Sequence, residues 1–330
     1  MKRNLFAILL LLDGLALLIF FPQAASEGVI EGLRLCGTTL IPALFPFFVL
    51  TRFCASLWSF SFGERAETRM RRWFGLGAGC IPALALSFIG GYPVGVGAVC
   101  DLYRTGRLTK RDAERCLVVC NNSGPGFFIG AVGAGIFHNV MAGLTLYGIH
   151  VISALLCARC FAVPVAPQFR IRRLPQASIS AARAFSDAIT GSCAAALQIS
   201  ATVILCSVLL ALLRLTPFSG QLAPFIGIFE LTSGVMQLSG NTASFLLAAF
   251  YMGWGGFCVH LQAMALWGEL KPRGYFAEKL LHGLLSAIFA AVLCRPTALS
   301  VLCAGGVSMV CIIFPSLRKK QAGNLQKNTL

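Results

Sequence analysis

Two clusters of glycine and proline interrupt apolar runs in the first half of the chain. The first is Gly90-Gly91-Tyr92-Pro93, and the second is Asn121-Asn122-Ser123-Gly124-Pro125-Gly126. Inside a lipid bilayer an unpaired backbone N–H or C=O costs several kcal/mol, so a helix is broken there only where the freed groups face protein or a water-filled cavity. In transporters such breaks form the substrate and ion site. The pattern therefore predicts a solute site built from these two breaks.

The second cluster offers two kinds of chemistry. Ser123 is a good N-cap residue and Pro125 suits the first turn of a helix, which predicts a half-helix that starts inside the membrane. Its free N–H groups and the positive end of its dipole would bind an anion. The side chains of Asn121 and Asn122 and the unwound carbonyls could instead ligate a coupling cation or hydrogen-bond a neutral substrate. The residues alone do not choose between these alternatives.

A third candidate element lies in the second half, at Glu230-Leu231-Thr232-Ser233-Gly234. A carboxylate in such an apolar stretch is costly unless it is paired, and by default it marks a functional site. We predict no catalytic residue and no metal ligand. The predicted substrate-binding residues are Gly90, Gly91, Tyr92, Pro93, Asn121, Asn122, Ser123, Gly124, Pro125, Glu230, Thr232 and Gly234.

The composition is that of a membrane protein. Of the 330 residues, 57% are hydrophobic and 12% are charged, with a mean hydropathy of +0.79, whereas soluble domains carry about 25% charged residues. We therefore predict an all-α, polytopic membrane protein with about 8–10 transmembrane segments of roughly 20 residues each. These predicted segments account for most of the chain and leave no room for an extended nucleic-acid surface. The net charge of +15 is interpreted as the positive-inside bias of cytoplasmic loops, or alternatively as attraction for an anionic solute.

The basic residues also predict how the first glycine break is arranged. One basic loop, containing Arg65 and Arg72, precedes the apolar segment from Phe74 to Val99, and a second, from Asp101 to Arg115, follows it. Both loops are expected in the cytoplasm, so the segment would enter and leave the membrane on the same side. This predicts a re-entrant hairpin with Gly90-Gly91-Tyr92-Pro93 at its tip.

Two prolines four residues apart, Pro42 and Pro46, lie in the middle of a predicted span from Gly32 to Phe53. Each removes a helical hydrogen-bond donor, and together they bend the helix. The sequence allows either a packing kink or a discontinuous helix that lines the site.

The chain divides into five parts. Residues 1–24 are interpreted as an uncleaved transmembrane helix, 25–163 as a first repeat, 164–186 as a basic cytoplasmic loop, 187–315 as a second repeat and 316–330 as a basic tail. A shift of 162 residues places Gly91 on Gly253, within a second apolar segment broken by glycine. We therefore predict a two-fold internal repeat with broken helices, an architecture common in transporters.

The sequence does not indicate an enzyme. It shows no Ser/His/Asp set, metal cluster or phosphate loop, and its four histidines lie in separate segments. His150 is interpreted as a helix-packing residue, and the cysteines as small hydrophobic residues. We expect no cofactor apart from a coupling cation of unknown identity.

At the same residues the chain resembles the family of the sporulation integral membrane protein YlbJ, also called stage V sporulation protein V, which contains nucleoside-recognition gate domains. The motifs that carry the resemblance are Gly90-Gly91-Tyr92-Pro93-Val94-Gly95, the run from Cys120 to Phe127, and Glu230-Leu231-Thr232-Ser233-Gly234. It covers nearly the whole chain. The resemblance implies a protein of the outer forespore membrane of a spore-forming bacterium that carries dipicolinate toward the forespore.

Three functions follow as expectations. The first is transport of a small organic anion, dipicolinate. The second is transport of a nucleoside-like solute, hydrogen-bonded by Asn121, Asn122, Glu230 and Gln262, because gate domains also occur in nucleoside transporters. The third is a membrane scaffold for assembly of the spore cortex and envelope that transports nothing. The expected partners are the substrate, the lipid bilayer, and further copies of the chain or other sporulation membrane proteins.

Overall fold

A computed structural model of the chain describes residues 12–57, 62–162, 180–217, 220 and 225–327. All regular structure in these residues is helical, which confirms the all-α prediction. Most of the predicted loop 164–186 and about half of the predicted first helix 1–24 lie outside this part of the chain. In the described part five helices are long and apolar enough to cross a bilayer: Pro22–Cys54, Val140–Cys160, Ala181–Leu213, Thr242–Trp267 and Tyr275–Cys294.

The helices follow one another with short connections. In chain order they are α1 (Pro22–Leu35), α2 (Ile41–Leu57), α3 (Glu64–Phe74), α4 (Ile81–Gly90), α5 (Val94–Arg104), α6 (Lys110–Val119), α7 (Val140–Cys160), α8 (Ala181–Leu213), α9 (Ile226–Phe229), α10 (Leu231–Met236), α11 (Thr242–Trp254), α12 (Gly256–Trp267), α13 (Tyr275–Cys294) and α14 (Ala298–Lys327). Segments Cys36–Leu40 and Phe127–Ile136 are π-helical. Residues 12–20 are helical as well.

The five spans confirm a polytopic membrane protein, but they are fewer than the 8–10 segments expected. The bent pair formed by α3 and the residues Ala78–Gly90 would raise the number to six. Part of the difference arises because helices α4, α5 and α6 have only 10 or 11 residues, and part because about half of the predicted first segment lies outside the described residues. At 1.5 Å per residue such a helix is about 15 Å long, or roughly half the hydrocarbon thickness.

Helices α4 and α5 form the predicted hairpin. A Cβ placed on Gly95 would lie only 2.3 Å from the Cβ of Ser87, eight positions earlier, whereas these positions in a continuous helix are about 12 Å apart. The chain therefore reverses direction between α4 and α5. Gly91 at the turn has φ +70°, a conformation that glycine adopts without steric cost.

The two basic loops lie together, as the hairpin requires. Arg71 at the end of α3 pairs with Asp112 at the start of α6, at 3.3 Å. Arg115 donates a hydrogen bond to the carbonyl of Gly75, at 3.1 Å. We call this end of the molecule, formed by residues 64–77 and 101–115, the basic face.

A second hairpin, which the sequence did not predict, is formed by α9 and α10. A Cβ on Gly234 would lie 2.1 Å from the Cα of Gly227, so the chain folds back between them. Glu230 occupies the turn. The two glycines permit this backbone contact, and the predicted site element at Glu230 is therefore the tip of a hairpin.

The order of elements repeats between the two halves. The first half contains a long helix (Pro22–Cys54), a hairpin, a broken helix (Lys110–Ile136) and the span α7; the second contains the long helix α8, a hairpin, the broken helix formed by α11 and α12, and the span α13. This order supports the predicted internal repeat.

The predicted alignment of the repeats is wrong in register. It paired Gly91 with Gly253, but the helices on either side of Gly255 continue as a span of 26 residues, whereas Gly91 lies at a hairpin tip. By element order, the counterpart of the Gly91 hairpin is the hairpin at Glu230. Aligning the first half with the second at an offset of 162 residues matched two segments that are both rich in glycine. Glycine content does not distinguish a hairpin from a bend.

The two halves pack in opposite orientations. In the middle of α1, a Cβ on Gly28 would lie 2.6 Å from the Cα of Val208, near the end of α8. Toward the C-terminal end of α2, the side chain of Arg52 reaches Gly191, in the first third of α8. The two long helices are thus antiparallel, as expected for an inverted repeat.

The last helix brings the C-terminal end back toward the basic face. Phe161, just after α7, contacts Gly274, just before α13, so α13 starts at the end of the molecule where α7 finishes. Helix α14 then returns, because Cys311 packs beside Cys157. The C-terminal end of α14 therefore lies on the same side of the molecule as the basic face.

The proline pair lies in a continuous helix. Cys36–Leu40 forms a π-helical turn between α1 and α2, in which the N–H of Ile41 bonds to the carbonyl of Cys36. Pro42 has no N–H to donate, and the wider turn accommodates the missing hydrogen bond. Of the two alternatives left open by the sequence, the structure has the continuous, locally distorted helix.

The close packing inside the first hairpin makes a testable prediction. Gly95→Ala should destabilise the protein by about 1–3 kcal/mol, because the new methyl group overlaps Ser87 and the carbonyl of Cys120. Gly97→Ala, in the same helix with open space around it, should be neutral or stabilising by up to about 1 kcal/mol. Thermal unfolding of the two purified variants in detergent measures the difference. Equal unfolding temperatures would contradict the hairpin packing.

Candidate functional site

A cavity lies where the two hairpin tips meet the break after α6. Six of the predicted site residues line it: Gly91, Tyr92, Ser123, Gly124, Glu230 and Thr232. The remaining lining residues come from both long helices, from α10, from α12 and from the start of the π-helical segment: Leu40, Leu44, Phe127, Ile199, Val203, Leu231, Cys258, Val259 and Gln262. The two halves of the inverted repeat thus contribute jointly to the cavity.

The cavity is narrow. Its volume is about 20 Å³. This is enough for a water molecule but not for an aromatic ring. Glycines keep it closed, since a Cβ on Gly91 would lie 2.6 Å from the backbone nitrogen of Gly124. A larger solute therefore requires the walls of the cavity to move apart, and the Gly91–Gly124 contact is one place where they can separate.

The other six predicted residues do not line the cavity: Gly90, Pro93, Asn121, Asn122, Pro125 and Gly234. They support the lining from behind. Gly90 packs against Thr51, and Gly234 packs against Gly227. Sequence reasoning located the broken segments, but it could not tell which side of each segment faces the cavity.

Glu230 caps the helix that follows it. Its carboxylate accepts hydrogen bonds from the backbone N–H of Thr232 at 2.9 Å and of Ser233 at 2.5 Å. The residue is only 1% exposed. The two N–H groups and the helix dipole stabilise the buried carboxylate, which has no ion-pair partner among the described residues.

The break after α6 has the predicted half-helix but not the predicted cap. The helix restarts at Pro125, and the carbonyl of Gly124 accepts from the N–H of Phe127 at 3.3 Å. Gly124 therefore occupies the N-cap position, and Ser123 lies one residue too early to cap. The backbone N–H of Ser123 instead donates to Nε2 of His150, at 3.3 Å.

The two asparagines connect the break to its surroundings. Asn122 donates to the carbonyl of Val119 at 2.8 Å and to Oγ of Ser87 at 3.1 Å. Asn121 donates to the hydroxyl of Tyr275, at 2.5 Å. The Oδ1 atoms of both asparagines are buried without a hydrogen-bond partner, so each retains an acceptor.

A group of polar residues on α13 was not predicted from the sequence. Its buried face carries Tyr275, Glu278, Lys279, His282 and Ser286, at positions i, i+3, i+4, i+7 and i+11. This spacing places them on the same side of a helix, and we call them the polar seam. Glu278 and Lys279 form an ion pair, with Oε2 and Nζ 3.2 Å apart. The helical period of these residues was the signal that could have revealed the seam.

Three of the four histidines, although they belong to separate segments of the sequence, converge on the seam. His282 donates from Nε2 to the carbonyl of His150 at 3.0 Å, and their rings are 4.4 Å apart. His260 bonds through Nδ1 to the hydroxyl of Tyr275, at 2.9 Å. Among the described residues, however, no three His, Cys, Asp or Glu side chains are placed to hold a metal ion.

Comparison with known proteins identifies a relative. The chain is 26% identical over 328 aligned positions to the sporulation integral membrane protein YlbJ of Bacillus subtilis (strain 168), and the alignment covers 85% of this chain and 80% of that relative. No protein-family model matches the chain, and no solved structure matches it significantly. The similarity supports the resemblance found in the motifs, and with the five spans it establishes an integral membrane protein.

The capping role of Glu230 can be tested through stability. Glu230→Ala should lower the free energy of unfolding by about 2 kcal/mol or more, because two buried N–H groups lose their acceptor. Asp187→Ala removes a carboxylate that is 64% exposed and has a loose pair with Arg183, so it should change stability by less than about 1 kcal/mol. Unfolding by sodium dodecyl sulfate in mixed micelles compares the two variants. A Glu230→Ala protein as stable as the parent would refute the cap.

Proposed function

Because the chain belongs to the YlbJ family, we propose that it is a transporter of the sporulating cell that moves a small organic anion, dipicolinate, across the outer forespore membrane. The observation that carries this proposal is the cavity at which two hairpin tips and a broken helix meet between inverted halves. Transporters with inverted repeats place their substrate site at such a position. No enzymatic reaction is assigned to the chain.

The closed cavity suits an alternating-access cycle. It is too small for a solute, and it is sealed by backbone contacts between the first hairpin and the break at Gly124. Short hairpins held by glycine contacts can separate without unfolding the long helices. We therefore interpret this conformation as an occluded state, from which either side could open.

Two features support an anionic substrate. The helix that restarts at Pro125 begins at the cavity, so the positive end of its dipole is close to a bound solute. The basic face collects arginine and lysine residues from several loops at the same end of the molecule, and a cytoplasmic face of this kind raises the local concentration of anions. Dipicolinate is a planar aromatic dicarboxylate and would benefit from both.

A nucleoside-like substrate is the second candidate, and the cavity lining favours it. Among the lining residues there is no arginine or lysine, and Glu230 is the only charged group. Tyr92, Ser123, Thr232 and Gln262 offer neutral donors and acceptors, which suit the hydroxyls of a ribose or the edge of a base. For a dianion, the negative charge of Glu230 would have to be offset by the helix termini or by a bound cation.

Flux measurements in liposomes test the proposal. Protein-containing vesicles should take up labelled dipicolinate faster than protein-free vesicles. Gln262→Leu should reduce this uptake by about tenfold, since Oε1 of Gln262 is buried, has no partner and borders the cavity, and a hydrogen bond lost in an enclosed site is worth about 1.4 kcal/mol.

Gln198→Leu is the matched control, because this residue is on α8 but outside the cavity lining. It should leave uptake unchanged. Uptake of a labelled nucleoside without uptake of dipicolinate would replace the first candidate by the second. Absence of both fluxes in well-folded protein would refute transport and leave the scaffold.

A further inference from the structure

His150 lies between the cavity and the polar seam of α13. It is 1% exposed and belongs to the span α7. On one side, its Nε2 accepts the N–H of Ser123, a residue of the cavity lining. On the other side, the backbone carbonyl of His150 accepts a hydrogen bond from the Nε2–H of the His282 side chain, which belongs to the seam. This residue therefore connects the two polar regions of the molecule.

The hydrogen bond to Ser123 determines the protonation state of His150. A backbone N–H can only donate, so Nε2 must carry a lone pair, and the imidazole is neutral with its proton on Nδ1. Nδ1 is buried without a partner. If a proton were added to Nε2, two N–H groups would face each other and the contact with Ser123 would be lost.

Loss of this contact would act directly on the closed cavity. Ser123 is followed by Gly124, and a Cβ on Gly124 would lie 3.0 Å from the backbone nitrogen of Gly91 at the hairpin tip. The position of Ser123 thus sets the contact that seals the cavity. Protonation of one imidazole would release a backbone group at the sealing contact.

The surroundings of His150 contain further titratable groups. On α13 these are Glu278, Lys279 and His282, and the Glu278–Lys279 pair is buried at 0% and 1% side-chain exposure. The ammonium group of Lys279 repels a second positive charge on His150, so the imidazole is neutral in the closed conformation. Oε1 of Glu278 has no partner. Ionisable groups inside a membrane span are costly to keep and commonly mark ion pathways.

Other neighbouring elements contribute further titratable groups and one aromatic ring. Helix α12 provides His260, which bonds to Tyr275 of the seam. Cys157 on α7 and Cys311 on α14 pack together beside the seam. The π-helical segment presents an aromatic ring, that of Phe128, 5.0 Å from the imidazole. None of these groups offers a fixed positive charge, so Lys279 is the principal cation near His150 in the described part of the chain.

We propose that His150 is a proton-binding site and that the proton is the ion coupled to transport. A proton from water adds to the lone pair of Nε2, the hydrogen bond from Ser123 breaks, and the contact between Gly124 and Gly91 loosens; the proton leaves again when the cavity closes. The coupling rests on the proposed transport function, whereas proton binding by His150 does not.

Hydrogen–deuterium exchange tests the proton site without any substrate. In the full-length protein in detergent, the peptide that contains Ser123 is followed at about pH 8 and pH 5.5, on either side of the usual histidine pKa, with rates corrected for intrinsic exchange. The parent protein should lose protection by at least threefold at the lower pH. His150→Gln can accept the Ser123 N–H through Oε1 but cannot bind a proton, so its protection should not depend on pH.

The matched control for this experiment is His138→Asn. His138 is exposed and has φ +50°, a conformation that asparagine tolerates. This variant should behave like the parent protein. Protection of the parent that does not change with pH, or an equal change in His150→Gln, would overturn the proton site.

Transport assays then separate coupling from transport itself. In liposomes with equal pH on both sides, lowering that pH from about 8 to 5.5 should speed the exchange of labelled for unlabelled dipicolinate by the parent severalfold, and His150→Gln should exchange at the same rate at both values. With a more acidic exterior, the parent should accumulate substrate severalfold, and His150→Gln should not. Exchange by the parent without an effect of the pH gradient would overturn the coupling but leave the transporter. Absence of exchange in the parent would overturn transport and coupling together, while the hydrogen-exchange result would still decide the proton site.

Discussion

The structure depends on the requirement that every backbone N–H and C=O inside the bilayer finds a partner. Each helix break frees several such groups, and in this protein particular side chains satisfy them. The carboxylate of Glu230 takes two N–H groups at the second hairpin, the amide of Asn122 takes the carbonyl of Val119, and His150 takes the N–H of Ser123. Buried polar side chains thus supply the hydrogen bonds that the helix breaks leave unmade.

The inverted arrangement of the two halves brings these breaks together. The long helices are antiparallel, so the two halves have opposite orientations. Each half contributes one hairpin to the same central region. Close contacts at glycine, such as Gly91 on Gly124 and Gly234 on Gly227, let backbones approach where side chains would hold them apart. The result is a cavity whose walls are largely main chain and neutral side chains.

The polar seam of α13 adds a second layer behind the cavity. Its ion pair, its histidines and Tyr275 connect to the break through Asn121 and His150. A buried ion pair contributes little net stability, since desolvation offsets the attraction between the charges. Glu278 and Lys279 lie on the same buried face of α13 as His282, whose ring packs against that of His150.

The sequence by itself determined the membrane class, the all-α fold and the positions of the breaks at Gly90-Gly91-Tyr92-Pro93, at Asn121 to Gly126 and at Glu230. It also placed the two basic loops on the same face. These properties follow from composition and from the local backbone preferences of glycine and proline, which act over a few residues. Only the tertiary structure decided that Gln262 borders the cavity, that the hairpin at Glu230 is the counterpart of the hairpin at Gly91, and that three histidines meet at α13. These features depend on which helices pack together, and contacts such as that between Asn121 and Tyr275 join residues 154 positions apart. No local pattern encodes a contact of that range.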